Sequence, residues 1–126
     1  MLQPFYVEPT FDSPQVILDY EKGIFSIKGR SLPENAIKFY NPIFEWLNNY
    51  IDQPLKKTDF ILSLEYFSSS SAKQVSKLLS LLEKLSDFSE VTIKWCYPAD
   101  DIDLKMFGEK LSKIIKLKFE FVAIES

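Results

Sequence analysis

Two periodicities take turns along this chain. Runs with a period of two, rich in β-branched and aromatic residues, predict strands, and stretches with a period near 3.6 predict amphipathic helices. Phe5-Tyr6-Val7 reads as a short strand or extended arm in a region broken by Pro4, Pro9 and Pro14, because proline lacks the backbone donor and disfavours helix. Residues 16–20 and 24–28 flank the turn Glu21-Lys22-Gly23 and predict a β-hairpin. Ser31 with Glu34 fits a capping box, and Pro33 suits a first helical turn. Ile37, Tyr40, Phe44, Leu47 and Ile51 then form a helical stripe, which Phe39, Ile43, Trp46 and Tyr50 widen beyond one face. With Pro42 inside, the pattern predicts one kinked helix over about 33–51.

Residues 60–67, Phe-Ile-Leu-Ser-Leu-Glu-Tyr-Phe, predict a strand, and their near-continuous apolarity predicts burial on both faces. Four serines, Ser68 to Ser71, follow at once. Ser71 with Gln74 fits a second capping box, and Val75, Leu78, Leu79, Leu82 and Leu85 give a clean helical face. A strand over 91–97 ends at Pro98. A helix over 102–115 carries Leu104, Phe107, Leu111 and Ile115 on one side, and a strand over 119–124 closes the pattern. The order is β, β-hairpin, α, β, α, β, α, β. Helices alternating with the later strands imply right-handed parallel crossovers. The expected fold is therefore a single α/β domain over 1–126, with an N-terminal hairpin, later parallel strands and about three packed helices.

Composition narrows the function. The chain has 126 residues, no histidine, one cysteine and a formal charge of −3. Without histidine, Ser-His-Asp and Cys-His nucleophile systems and His-containing zinc sites are excluded. Lysines are dispersed among acids, so the concentrated basic face of a nucleic-acid binder is missing. No apolar run approaches the ~20 residues of a membrane span, and the N-terminal residues lack the pattern of a signal peptide. A lone Cys96 cannot form an internal disulfide and reads as a small core residue; a reduced, cytoplasmic protein is expected. Aromatics are abundant at 15%, enough to supply both a core and a contact surface.

Candidate chemistry concentrates at the serine run. A helix start presents unpaired N–H groups and the positive end of the helix dipole. A serine there caps the helix, and a phosphate added there finds favourable charge. Asp100, Asp101 and Asp103 suggest Mg²⁺ more weakly than they suggest an N-cap, so no metal and no cofactor is expected. Arg30 is a candidate partner for a phosphate. Two other classes remain open: a small enzyme using Glu65 with the acidic loop, and a structural dimerisation module.

Gly29-Arg30-Ser31-Leu32-Pro33-Glu34-Asn35-Ala36 with Phe39-Tyr40 and Trp46-Leu47, the junction 64–73, and Trp95-Cys96-Tyr97 followed by the acidic loop and Met106, Gly108 and Glu109 together resemble the SiaC family of bacterial regulatory phosphoproteins. That resemblance implies a STAS-like fold similar to anti-sigma factor antagonists, and partner switching without enzymatic activity. A serine kinase would add a phosphate, a metal-dependent phosphatase would remove it, and the dephosphorylated protein would engage a target. A diguanylate cyclase is the implied target, linking the switch to cyclic-di-GMP and biofilm behaviour. The acceptor of such relatives, a Thr followed by two serines, falls by position on Ser69, with Ser68, Ser70 and Ser71 as alternates. The implied contact surface comprises Tyr66, Phe67, Ser70 and Lys73 with Pro33, Glu34 and Asn35. Neither a nucleic acid nor a membrane is an expected partner.

Overall fold

The register between strands decides which face of the sheet each side chain occupies. In the computed structural model, which describes residues 2–125, the elements run β1 (Phe5–Val7), β2 (Gln15–Asp19), β3 (Ile24–Ser31), α1 (Ala36–Tyr50), β4 (Lys57–Phe67), α2 (Ser69–Leu85), β5 (Glu90–Pro98), α3 (Ile102–Ile114) and β6 (Lys118–Ile124). The strands join in one sheet in sequence order, β1-β2-β3-β4-β5-β6. β1, β2 and β3 pair antiparallel, and β3 through β6 pair parallel. The expected mixed sheet, with a hairpin first and parallel crossovers after it, is the one that forms. Gly23, at φ +66°, supplies the left-handed residue of the β2–β3 turn.

Each crossover steps the chain one strand over. Right-handed connections in that order set all three helices on the same face. α1 packs on α2, α2 lies over β4 and β5, and α3 lies over β5 and β6. Phe25, Phe60 and Ile93 form one row across the sheet, and Ile27, Leu62 and Trp95 form the next. All six are buried. The intervening rows, Ser26–Ile61–Lys94–Glu120 and Lys28–Ser63–Cys96–Val122, line the face that no helix covers.

This one-sidedness corrects two expectations. β4 is not buried on both faces: Phe60, Leu62 and Leu64 are buried, while Asp59, Ile61 and Ser63 between them are only half-buried and Glu65 is exposed. Ile61 alone gave the run its continuous apolar look. Cys96 is likewise no core residue. It sits half-buried on the uncovered face, where partial burial pushes its thiol up from the ordinary value.

α1 also begins later than the capping-box pattern predicts. Ser31 cannot cap it, because Ser31 is the last residue of β3 and its side chain is buried. Asn35 caps instead, its Oδ1 accepting the Lys38 N–H at 3.1 Å. Pro33 therefore lies before the helix. The helix runs through Pro42, which is exposed. Ile43, Trp46 and Tyr50 are spent on the core: Trp46 stacks on Tyr50 at 5.4 Å and Tyr50 meets Phe25 at 5.0 Å. At the far end of the sheet the Thr58 hydroxyl bonds both Tyr50 and Ser89, at 2.8 and 2.7 Å.

Gly108 sits in α3 directly against Trp95. A Cβ built there would lie 2.4 Å from the Trp95 Nε1. That nitrogen donates to the Leu104 carbonyl at 3.1 Å, so the ring cannot retreat without losing its partner. Alanine normally gains about 1 kcal/mol over glycine inside a helix. Here Gly108→Ala is expected to lower stability by about 1–3 kcal/mol, because overpacking outweighs propensity. Denaturant unfolding followed by tryptophan fluorescence measures it; a neutral or stabilising result would refute the close packing.

Candidate functional site

No loop separates β4 from α2. The strand ends at Phe67, Ser68 is the N-cap, and the helix begins at Ser69. Four identical side chains consequently receive four different environments. The Ser68 backbone is extended at φ −76° and ψ 166°, and its Oγ accepts the Ser71 N–H at 3.1 Å. Ser69 and Ser70 are exposed, and Ser71 is fully buried. The expected Ser71–Gln74 capping box does not form, because Ser71 points into the core and Ser68 takes the cap one turn earlier.

The buried end of the run is held by a chain of hydroxyls. Ser31 Oγ donates to Ser71 Oγ at 2.9 Å, and Tyr40 Oη lies 2.7 Å from Ser31 Oγ. Ser31 has a single hydroxyl proton, so Tyr40 is the donor in the second bond. Burial pushes the Tyr40 phenol up from its ordinary value, keeping it protonated for that role. A backbone bond reinforces the link, with Ser68 N–H donating to the Ser31 carbonyl at 3.1 Å. The Gly29–Asn35 segment and the serine run, some forty residues apart, are thus fastened together.

The surface around this junction is mixed. Tyr66, Ser70, Lys73, Glu34 and Asn35 are exposed, while Pro33 and Phe67 are half-buried. Phe67 turns inward onto Phe107, with ring centroids 5.1 Å apart, so less of it is presented than expected. Arg30 is clamped between two rings, 4.6 Å from the Phe11 centroid and 4.9 Å from that of Tyr66. Its Nε is buried without a hydrogen-bond partner. Sequence reading missed Phe11. It reaches this site because the Leu32 N–H donates to the Asp12 carbonyl at 2.7 Å, pinning the 8–14 segment beside β3. No local pattern in the sequence signals that contact.

A groove of about 970 Å³ opens on the uncovered sheet face at the ends of β4 and β5, lined among others by Lys28, Ser63, Glu65, Tyr66 and Asp100. These are the side chains on which a carboxylate enzyme would depend. Asp101 is engaged otherwise: its Oδ1 caps α3 by accepting the Leu104 N–H at 3.0 Å. Among the described residues, no three His, Cys, Asp or Glu side chains are grouped to hold a metal ion, and no helix is long and apolar enough to cross a membrane.

Comparison with known proteins places these features in context. A family model, described as SiaC family regulatory phosphoprotein, matches residues 7–124. An uncharacterized protein of Pseudomonas aeruginosa (strain UCBPP-PA14) is 25% identical over 97 residues, covering 76% of this chain and 77% of that protein. Apo-SiaC from Pseudomonas aeruginosa superposes with a TM-score of 0.85 at 23% identity, covering 96% of this chain and 99% of that one. A chain from the complex of the diguanylate cyclase SiaD with its activator SiaC, also from Pseudomonas aeruginosa, gives 0.87 at 22% identity, covering 95% of this chain and 99% of that one. At these identities the structural likeness is one of fold.

The four serine environments predict a graded series in denaturant unfolding. Ser71→Ala removes the acceptor of the buried Ser31 hydroxyl proton and should cost about 1–3 kcal/mol. Ser68→Ala removes the cap and should cost about 1 kcal/mol. Ser69→Ala should stay within about 0.5 kcal/mol of the parent, as an exposed change does. A Ser69 variant as damaging as the Ser71 one would contradict this assignment.

Proposed function

This chain belongs to the SiaC family of regulatory phosphoproteins, and from that membership we propose that it is a non-enzymatic signalling protein acting by partner switching, with reversible phosphorylation of Ser69 setting whether it binds its target. The observation that carries the reading is the exposure of Ser69 at the first position of α2 while Ser71 is sealed and Ser68 is occupied as the cap. An incoming kinase would find a free hydroxyl there. Ser70 is the exposed alternate.

The electrostatics favour modification without unfolding. A phosphate on Ser69 adds about −1.5 to −2 charges. It would lie at the positive end of α2, where negative charge contributes roughly 0.3–1 kcal/mol. Lys73 is exposed and four residues further on, on the same side of the helix. The modified protein would keep its fold and change only its surface. A partner docked over Tyr66, Ser70, Lys73 and the Pro33-Glu34-Asn35 segment would then have to desolvate a dianion, which is costly unless it supplies its own arginines.

SiaC of Pseudomonas aeruginosa is the activator of a diguanylate cyclase in the complex noted above. A cyclase of that class is the target proposed here, with output through cyclic-di-GMP and biofilm behaviour. A serine kinase and a metal-dependent phosphatase would write and erase the mark in the cytoplasm.

Binding to a purified diguanylate cyclase from the organism this chain comes from tests the proposal. Ser69→Asp is expected to weaken binding about tenfold or more, and Ser69→Ala to bind like the unmodified protein. Equal binding by both variants would remove Ser69 from the mechanism.

A further inference from the structure

Arg30 is the only arginine of the chain; every other basic residue is a lysine. Its neighbour Ser31 turns inward to Tyr40 and Ser71, and Phe67, after Tyr66, turns inward to Phe107 of α3. Arg30 and Tyr66 therefore turn the other way, onto the face of the sheet that no helix covers. The β3–β4 register slips between Gly29 and Ser31, so Glu65 and Tyr66 together stand opposite Arg30. The rings of Tyr66 and Phe11 hold the guanidinium between them. Neither Glu65 nor Asp12, the acids nearest in sequence to those rings, pairs with it. Among the described residues Arg30 makes no ion pair, and its Nε is buried without an acceptor.

We propose that Arg30 is an anchor for the protein target and takes an aspartate or glutamate side chain of that target. The inference rests on the reading that the target docks over Tyr66, and names the chemistry it brings there. A held guanidinium offers its N–H edge, and a carboxylate is the planar acceptor that takes two parallel N–H bonds from such a fork. The rings fix the side chain beforehand, so little conformational freedom is lost on binding. Phe11 is 76% exposed and Tyr66 58%. A partner covering these rings would exclude water around the new ion pair, the setting in which arginine and tyrosine contribute most to binding. A phosphate on Ser69 is the less suitable occupant, because α2 packs on the opposite face of the sheet from the clamp. A target that touches both Arg30 and Lys73 straddles the end of β4.

A sole arginine makes the test specific. In NMR spectra of the nitrogen-labelled full chain, the Arg30 Nε–H is the single arginine side-chain signal. At constant ionic strength, glutarate is expected to shift it with half-saturation on the order of 10 mM. Phe11→Ala opens the clamp on an exposed residue without touching the core, and should weaken that response severalfold. A signal that glutarate leaves unmoved overturns the proposal, and a stronger response to inorganic phosphate than to glutarate overturns the choice of a carboxylate. With the purified cyclase, Arg30→Lys keeps the charge but loses the fork, and should weaken binding about tenfold. Circular dichroism confirms that the variant is folded. If Ser69→Asp releases the cyclase while Arg30→Lys binds as the parent does, the anchor is wrong and the Ser69 reading stands. If the parent chain does not bind the cyclase, the target reading falls, and the glutarate response alone decides whether Arg30 is a carboxylate site.

Discussion

The contact between Ser31 and Ser71 holds the rest of the site in place. It joins the last residue of β3 to the first turn of α2 inside the core, with Tyr40 of α1 completing the chain of hydroxyls. Three elements distant in sequence share two hydrogen bonds of 2.7 and 2.9 Å. Buried hydroxyls without partners are costly, so pulling any one of the three away from this network is unfavourable. With Ser71 turned inward, the helical repeat carries Ser69 and Ser70 outward. Which serines a kinase would meet follows from a packing decision made at Ser31.

Much of the fold was legible because the chain obeys its periods. The hairpin, the three helices and the parallel strands fall where apolar spacing and Gly23 put them. Reading failed where one local pattern had more than one solution. Four consecutive serines offer four cap positions, and the S-x-x-Q spacing of Ser71 and Gln74 is only one of them. The choice of Ser68 depends on β4 continuing to Phe67 and on a contact forty residues away. The same holds at α1, where Ser31 satisfies a capping-box spacing but is drawn into β3 pairing opposite Phe67. Tertiary contact overrode local preference in both cases.

The misread burial of β4 has a simpler cause. Apolar content alone does not distinguish a strand covered twice from one covered once; the topology does. Because the parallel strands lie in sequence order, right-handed crossovers have no choice but to stack every helix on one side. The opposite face stays open, and with it Ile61, Cys96 and the groove beside Glu65. The Arg30 clamp was invisible for a related reason. Phe11 belongs to an irregular segment whose position is set by one backbone bond between Leu32 and Asp12.

These constraints also fix how a phosphate at Ser69 would have to work. Melting α2 would mean breaking the Ser31–Ser71 bond and exposing Val75, Leu78 and Leu79, all fully buried. A dianion at the first helical position pulls the other way, since the helix dipole and the unpaired N–H groups there favour it. The frame is therefore indifferent to the mark or strengthened by it. Under the proposed switch, all of the switching energy would have to come from the surface, in the desolvation of the phosphate by a partner docking beside Tyr66 and Lys73. That needs only about 1.4 kcal/mol for each tenfold change in affinity, a small demand on a dianion and one that leaves the fold untouched.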